Sequence, residues 1–170
     1  MPIALKSPAT PAADRDAPVP VNPRIHFSPE MLPGLWEGIQ QILGALRKGG
    51  VSAKTLELSH QRASQINGCS ACLESGFHHG LKIGESELRM VTVAAWRDSP
   101  HFTAAERAAL ELTEAVTRMA DREDPVPDEV WNLAAEYYDE RQLATLVVSI
   151  ALTNLFNRLN HSTRQLAQDW

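Results

Sequence analysis

The chain is poor in cysteine and aromatic residues and has no long apolar run, and each shortage removes a class of protein. Only two of its 170 residues are cysteine, too few for a disulfide framework or a four-thiolate zinc site. No apolar segment reaches the roughly 18 residues that a membrane span requires, and the N-terminus lacks the charged-then-apolar order of a secretion signal. A cytoplasmic protein with no membrane partner is expected. Lys and Arg (16) are outnumbered by Asp and Glu (21), giving a formal charge of -5, and they nowhere cluster among aromatics, so nucleic acid is not an expected partner. No alternating strand pattern of useful length occurs either. What remains, 44% hydrophobic and 22% charged residues, suits one globular domain with a sizeable core.

Helix punctuation dominates that remainder. Residues 1–27 are rich in Pro and Ala and read as an extended arm, with packing expected only for about 18–27, where Val19, Val21, Ile25 and Phe27 offer something to bury. Residues 28–170 read as an all-α domain, a bundle of about seven helices. Ser28 and Pro29 predict a helix from Met31 to Lys48, Ser52 opens a second through Asn67, and Cys69 a third to about Gly84. A fourth is predicted over Glu85 to Trp96. Thr103-Ala104-Ala105-Glu106 is a capping box for a fifth toward Ala120, and Pro127-Asp128 start a sixth that ends near Tyr138. The last helix, 139–168, carries Leu143, Leu146, Val147, Ile150, Leu155 and Leu159 at helical spacing. Asn154, Asn157 and Arg158 interrupt its apolar face and predict helix–helix hydrogen bonds.

The two cysteines stand three apart, Cys69 and Cys72, just after Asn67-Gly68, a break between helices. One helical turn brings such a pair within disulfide reach, and the free amides of a first turn favour a thiolate at Cys69. Zinc would need further ligands from His60, His78, His79 or a carboxylate, without finger-type spacing. A purely structural bridge closing so short a loop would remove little unfolded-state entropy. Redox use is the leading reading.

The run from Leu56-Glu57 through Ser64-Gln65-Ile66-Asn67-Gly68-Cys69-Ser70-Ala71-Cys72, then Gly84-Glu85-Ser86, resembles the carboxymuconolactone decarboxylase superfamily in its alkylhydroperoxidase D-like branch. The helix Thr103–Leu110, the segment Val126–Val130 and the stretch Ile150–Leu159 extend the likeness over most of residues 30–160. The resemblance implies an all-helical subunit that assembles into a dimer, trimer or hexamer. It also implies a Cys-x-x-Cys that reduces a small hydroperoxide at the expense of a dithiol, with no cofactor. Cys69 and Cys72 would be catalytic; the helix terminus points to Cys69 as the more acidic and exposed thiol, the resemblance to Cys72 as peroxidatic. Glu57 matches the family's glutamate, twelve positions before the first cysteine. The family's histidine, four positions after the second, is Gly76 here.

Peroxide reduction needs a proton taken from the thiol and one given to the departing oxygen, so another group must replace that histidine. At 1.5 Å per residue, a second and third helix folded back at Asn67-Gly68 would bring Glu57 level with about residue 79. His60, three residues after Glu57, is nearer the cysteines and could use the space over Gly76, with Glu57 supporting it. It ranks first and His79 second, and Gly76→His would be expected to rescue in part the loss of His60 or of the Glu57 carboxylate. Glu57, His60, Gln61 and Ser64 could equally form a solvated polar stripe. The sequence thus points to a thiol-dependent peroxidase; a decarboxylase-like enzyme of the same fold and a noncatalytic oligomeric redox sensor are the alternatives.

Overall fold

The computed structural model describes residues 18–28 and 30–167. Among these residues it is all-α, with α1 (Leu35–Arg47), α2 (Ala53–Asn67), α3 (Ser70–Lys82), α4 (Glu87–Thr92), α5 (Ala104–Thr117), α6 (Asp128–Ala135) and α7 (Glu140–Thr163). Residues 1–17 of the expected arm lie outside the described part.

Helix α2 is the hub, packing on α3, α5 and α7. Ser52 caps it by accepting from the Thr55 amide at 3.0 Å, and Gly68 ends it with φ 66°, a left-handed turn that a side chain would disfavour. Leu58 and Ala63 bury one face, while Glu57, Gln61 and Ser64 bury the other. The polar stripe therefore does not face water; it meets α3 and α7. Helix α5 carries the expected capping box between Thr103 and Glu106, and a second one, between Asp139 and Gln142, starts α7. Leu112, Leu146 and Ile150 form one apolar core with Val51 and Leu143, and Leu58, Leu110, Val93 and Trp96 form another.

Helices α5 and α6 end three residues before the sequence expectation, at Thr117 and Ala135, and three limits differ by more. Helix α1 starts at Leu35, not Met31. Pro33 lacks the amide that an interior turn requires, and Gly34 stands at φ 85°. Helix α4 stops at Thr92 and continues as a single 3-10 turn, Val93–Ala95, within the β-branched run Val91-Thr92-Val93. Helix α7 ends at Thr163, where Arg164 is left-handed at φ 56°.

Two polar clusters tie these elements together. Glu114 on α5 receives Arg62 Nε and Arg118 at 2.7 Å, Trp96 Nε1 at 2.9 Å and Arg97 at 3.1 Å. Burial alone would raise the Glu114 carboxyl, but the hydrogen bonds from Trp96, Arg118 and Arg62 hold it at about 2. In the second cluster, Asn67 Nδ2 donates to Asn154 Oδ1 at 3.0 Å and Asn157 Oδ1 at 2.8 Å, and Asn157 donates to Ser64 at 3.0 Å. These are the predicted helix–helix bonds, and they fix the turn that precedes Cys69.

The arm docks on the end of α7. The Arg24 amide donates to the Thr163 carbonyl at 2.7 Å, its guanidinium to Ser162 at 3.0 Å, and Gln165 to the Ile25 carbonyl at 2.8 Å. Cationic capping of a helix C-terminus complements its dipole. The arm's apolar side chains gain little from this: Val19 is 85% and Val21 52% exposed.

Candidate functional site

The turn at Asn67-Gly68 reverses the chain, so α3 returns along α2 with the cysteines at its start. Cys69 is the N-cap of α3, its sulfur accepting from the Cys72 amide at 3.3 Å. The two cysteines form a disulfide with their Cα atoms 5.3 Å apart. Both are buried, at 1% and 2% exposure, so Cys69 is not the more exposed of the two as its position at the helix start suggested. Phe156 of α7 packs against the pair. Asn160, one turn further along α7, points its Nδ2 at Cys72 Sγ from 3.4 Å.

On the facing side, three α2 side chains reach across to α3. Glu57 Oε2 meets His79 Nδ1 at 2.5 Å, as the level of the two helices anticipated. Glu57 is buried while the His79 side chain is 56% exposed, which places the imidazole at the edge of the site and its carboxylate behind it. His60 behaves differently from the expectation. Its Nε2 lies 3.1 Å from the Cys72 carbonyl, an acceptor, so that nitrogen carries the proton; its Nδ1 lies 3.3 Å from the Thr153 hydroxyl. Glu57 therefore orients His79 rather than His60, because the His60 ring is turned toward the peptide of Cys72. Beside it, Gln61 donates to the Leu73 carbonyl at 3.1 Å.

Gly76 makes this approach possible. A Cβ there would lie 2.6 Å from Gln61 Nε2, 2.7 Å from His60 Cδ2 and 2.8 Å from Glu57 Oε1. The space over Gly76 is thus filled by all three side chains, and a histidine at 76 would displace them instead of complementing them. Glu57 Oε1 is buried without a hydrogen-bond partner beside this glycine. His78 is exposed on the outer face of α3, and His101 is exposed in the connection before α5.

Two cavities border the site. One of about 490 Å³ is lined by Glu57, His60, His79 and Thr153 together with Leu43, Leu46, Leu56, Ile83, Leu152 and Phe156, so its few polar groups sit in apolar walls. The other, about 700 Å³, opens on Cys69 and is lined by Ser70, Ala71 and Glu74 of α3, Val21 and Arg24 of the arm, and Asn160 to Leu166 around the end of α7, except Thr163. Cys72 lines neither. The sequence reading brought forward Cys69, Cys72, Glu57, His60 and His79, and all five fall within this region of α2 and α3. It passed over Gln61 as a site residue and missed Asn160. The spacing of Asn154, Asn157 and Asn160 along one stripe of α7 was the available signal.

Residues 33–115 match the carboxymuconolactone decarboxylase family. The chain is 35% identical over 114 residues to the uncharacterized protein YdfG of Bacillus subtilis (strain 168), covering 67% of this chain and 76% of that protein. It is 27% identical over 148 residues to the uncharacterized protein YnjA of Escherichia coli (strain K12), covering 81% and 79%. Among solved structures, it superposes with a TM-score of 0.77 on ATU0492 of Agrobacterium tumefaciens, a protein of unknown function and candidate antioxidant defence protein AhpD. Identity there is 27%, over 85% of this chain and 98% of that one. By sequence and by its all-helical fold, the chain belongs to the carboxymuconolactone decarboxylase family.

Proposed function

We propose that the protein is a thiol-dependent peroxidase that reduces small hydroperoxides and is regenerated by an external dithiol. The observation that carries this reading is a disulfide at the first turn of α3 with His60 bonded to the Cys72 carbonyl and, further along the same two helices, a carboxylate–imidazole pair, Glu57 and His79. Membership of the family and the likeness to a candidate antioxidant protein support an enzyme.

In the reduced protein one cysteine thiolate attacks the peroxide, the O–O bond breaks, and the departing alkoxide takes a proton to leave as the alcohol. The sulfenic acid that remains condenses with the second thiol, expelling water and forming the Cys69–Cys72 bond. A dithiol then restores both thiols and leaves as its own disulfide. Cys72 suits the first role, since its peptide carbonyl receives His60 Nε2 and its sulfur faces Asn160 Nδ2. Glu57 fixes the Nδ1 proton of His79, leaving its Nε2 to exchange a proton at the cavity. His60 positions Cys72. No cofactor enters this scheme.

A homo-oligomer fits this reading. Val19 and Val21 on the arm and Val148 and Leu155 on α7 expose apolar surface, the last two at 46% each. No helix among the described residues is long and apolar enough to cross a membrane, and a compartment that keeps dithiols reduced, the cytoplasm, suits the cycle. Residues 1–27 would serve as the arm and 28–170 as the catalytic domain. Steady-state consumption of cumene hydroperoxide with dithiothreitol tests the proposal. Wild type should far exceed the free dithiol, Cys72→Ser should abolish turnover, and Cys69→Ser should stop after one. A wild-type rate equal to that of free dithiothreitol, with the disulfide still cycling, would leave a redox sensor instead.

A further inference from the structure

The disulfide has one accessible end and one held end. Both cysteines are nearly fully buried, at 1% and 2% exposure, but Cys69 lines the cavity of about 700 Å³, whereas Cys72 lines neither large cavity. Asn160 is 6% exposed and touches both sides of this arrangement. Its Nδ2 is 3.4 Å from Cys72 Sγ, it lines the same cavity as Cys69, and its Oδ1 is buried with no hydrogen-bond partner. A disulfide sulfur is a weak acceptor and a thiolate a strong one, so the amide contact to Cys72 strengthens as the S–S bond breaks. Cys69 Sγ also receives a hydrogen bond, from the Cys72 amide at 3.3 Å. Hydrogen bonding alone therefore does not choose between the sulfurs, and access does.

We propose that Asn160 is a catalytic residue of the reductive half of the cycle: a reducing thiol enters the cavity at Cys69, and Asn160 receives Cys72 as the leaving thiolate. The incoming thiolate attacks Cys69 Sγ, forming a mixed disulfide and breaking the Cys69–Cys72 bond; the electron pair stays on Cys72 and is held by Asn160 Nδ2. The second thiol of the reductant then attacks its own sulfur in the mixed disulfide. Cys69 leaves as a thiolate and takes up a proton, and the reductant departs as its disulfide. The reductant is a slender, low-molecular-weight thiol, because a cysteine only 1% exposed in the lining of a cavity is beyond a flat protein surface.

The assignment rests on the cysteine pair cycling as in the proposed peroxidase, and it is tested apart from peroxide. Oxidised full-length protein is treated briefly with 2-mercaptoethanol, quenched with N-ethylmaleimide and mapped by peptide mass spectrometry. The expected trapped species carries mercaptoethanol on Cys69 and maleimide on Cys72; the opposite pattern overturns the proposal. Asn160→Ala should slow disulfide reduction at neutral pH by at least about tenfold and move the alkylation profile of Cys72 to higher pH, with Asn160→Gln recovering part of both. An unchanged rate and an unchanged pH profile in Asn160→Ala also overturn it, whereas a merely structural role would lower stability without moving that profile. The wild-type trap stands even where a variant misfolds. Trapping on Cys69 without peroxide turnover would remove the peroxidase reading and keep this one; turnover with trapping on Cys72 would do the reverse.

Discussion

Replacing Gly76 with alanine sets two effects of opposite sign against each other. In an ordinary helix interior the change stabilises by about 1 kcal/mol, because alanine loses less backbone entropy on folding. Here the new Cβ would stand 2.6–2.8 Å from atoms of Gln61, His60 and Glu57, well inside van der Waals contact. These are ends of side chains and could move, but His60 and Gln61 would leave the Cys72 and Leu73 carbonyls, and Glu57 is held by His79. Two lost hydrogen bonds at roughly 1 kcal/mol each, with overpacking of about 1–3 kcal/mol, outweigh the helix gain. Gly76→Ala should therefore destabilise by about 2–4 kcal/mol in urea titration and slow peroxide reduction at least about tenfold by disturbing Glu57 and His60 together. Gly76→His should be worse on both counts. A variant more stable than wild type by about 1 kcal/mol, with unchanged turnover, would refute the packing argument.

Acid should weaken the fold through Glu114. A carboxyl at about 2 in the folded state against an ordinary 4.5 stabilises above pH 4.5, and that contribution, roughly 3 kcal/mol at most, is lost as pH falls from 4.5 toward 2. Glu114→Gln should flatten the stability difference between pH 6 and pH 3 in thermal melts, and an equally steep fall in that variant would contradict it. His79→Ala should reduce peroxide turnover by at least about tenfold and also cost stability, because the buried Glu57 carboxylate loses its partner, and Glu57→Gln should follow it in turnover. His60→Ala should lower both turnover and stability, since it leaves a Cys72 carbonyl and Thr153 without that partner; a His60→Ala variant as stable and as active as wild type would argue against its positioning role. Light scattering should give a mass above the 18.7 kDa of one chain, and Leu155→Glu should lower it; a wild-type monomer at micromolar concentration would exclude the oligomer.

The sequence by itself determined the helical architecture, because helix stops and starts are local. Ser52, Gly68 and Thr103 with Glu106 act through backbone groups a few residues away, and the expected boundaries there match. Where Pro33 and Gly34 broke the pattern, the information was also local and simply outweighed the earlier Ser28-Pro29 signal. The spacing of Cys69 and Cys72 set their common helical face, and the 1.5 Å rise placed Glu57 beside residue 79 once a reversal at Gly68 was assumed. Only the tertiary structure decided what the polar face of α2 meets. Helical periodicity shows which side chains share a face and carries nothing about the neighbour, so a stripe that could have faced water is buried against α3 and α7. The same limit hid the choice between histidines: His60 is closer to the cysteines along the chain, yet its ring turns to a peptide carbonyl 12 residues on, while Glu57 takes the histidine 22 residues away. Asn160 lies 88 residues from Cys72; the stripe Asn154, Asn157, Asn160 marks a polar face of α7, but only the packing of α7 on α3 decides that this face meets the cysteine.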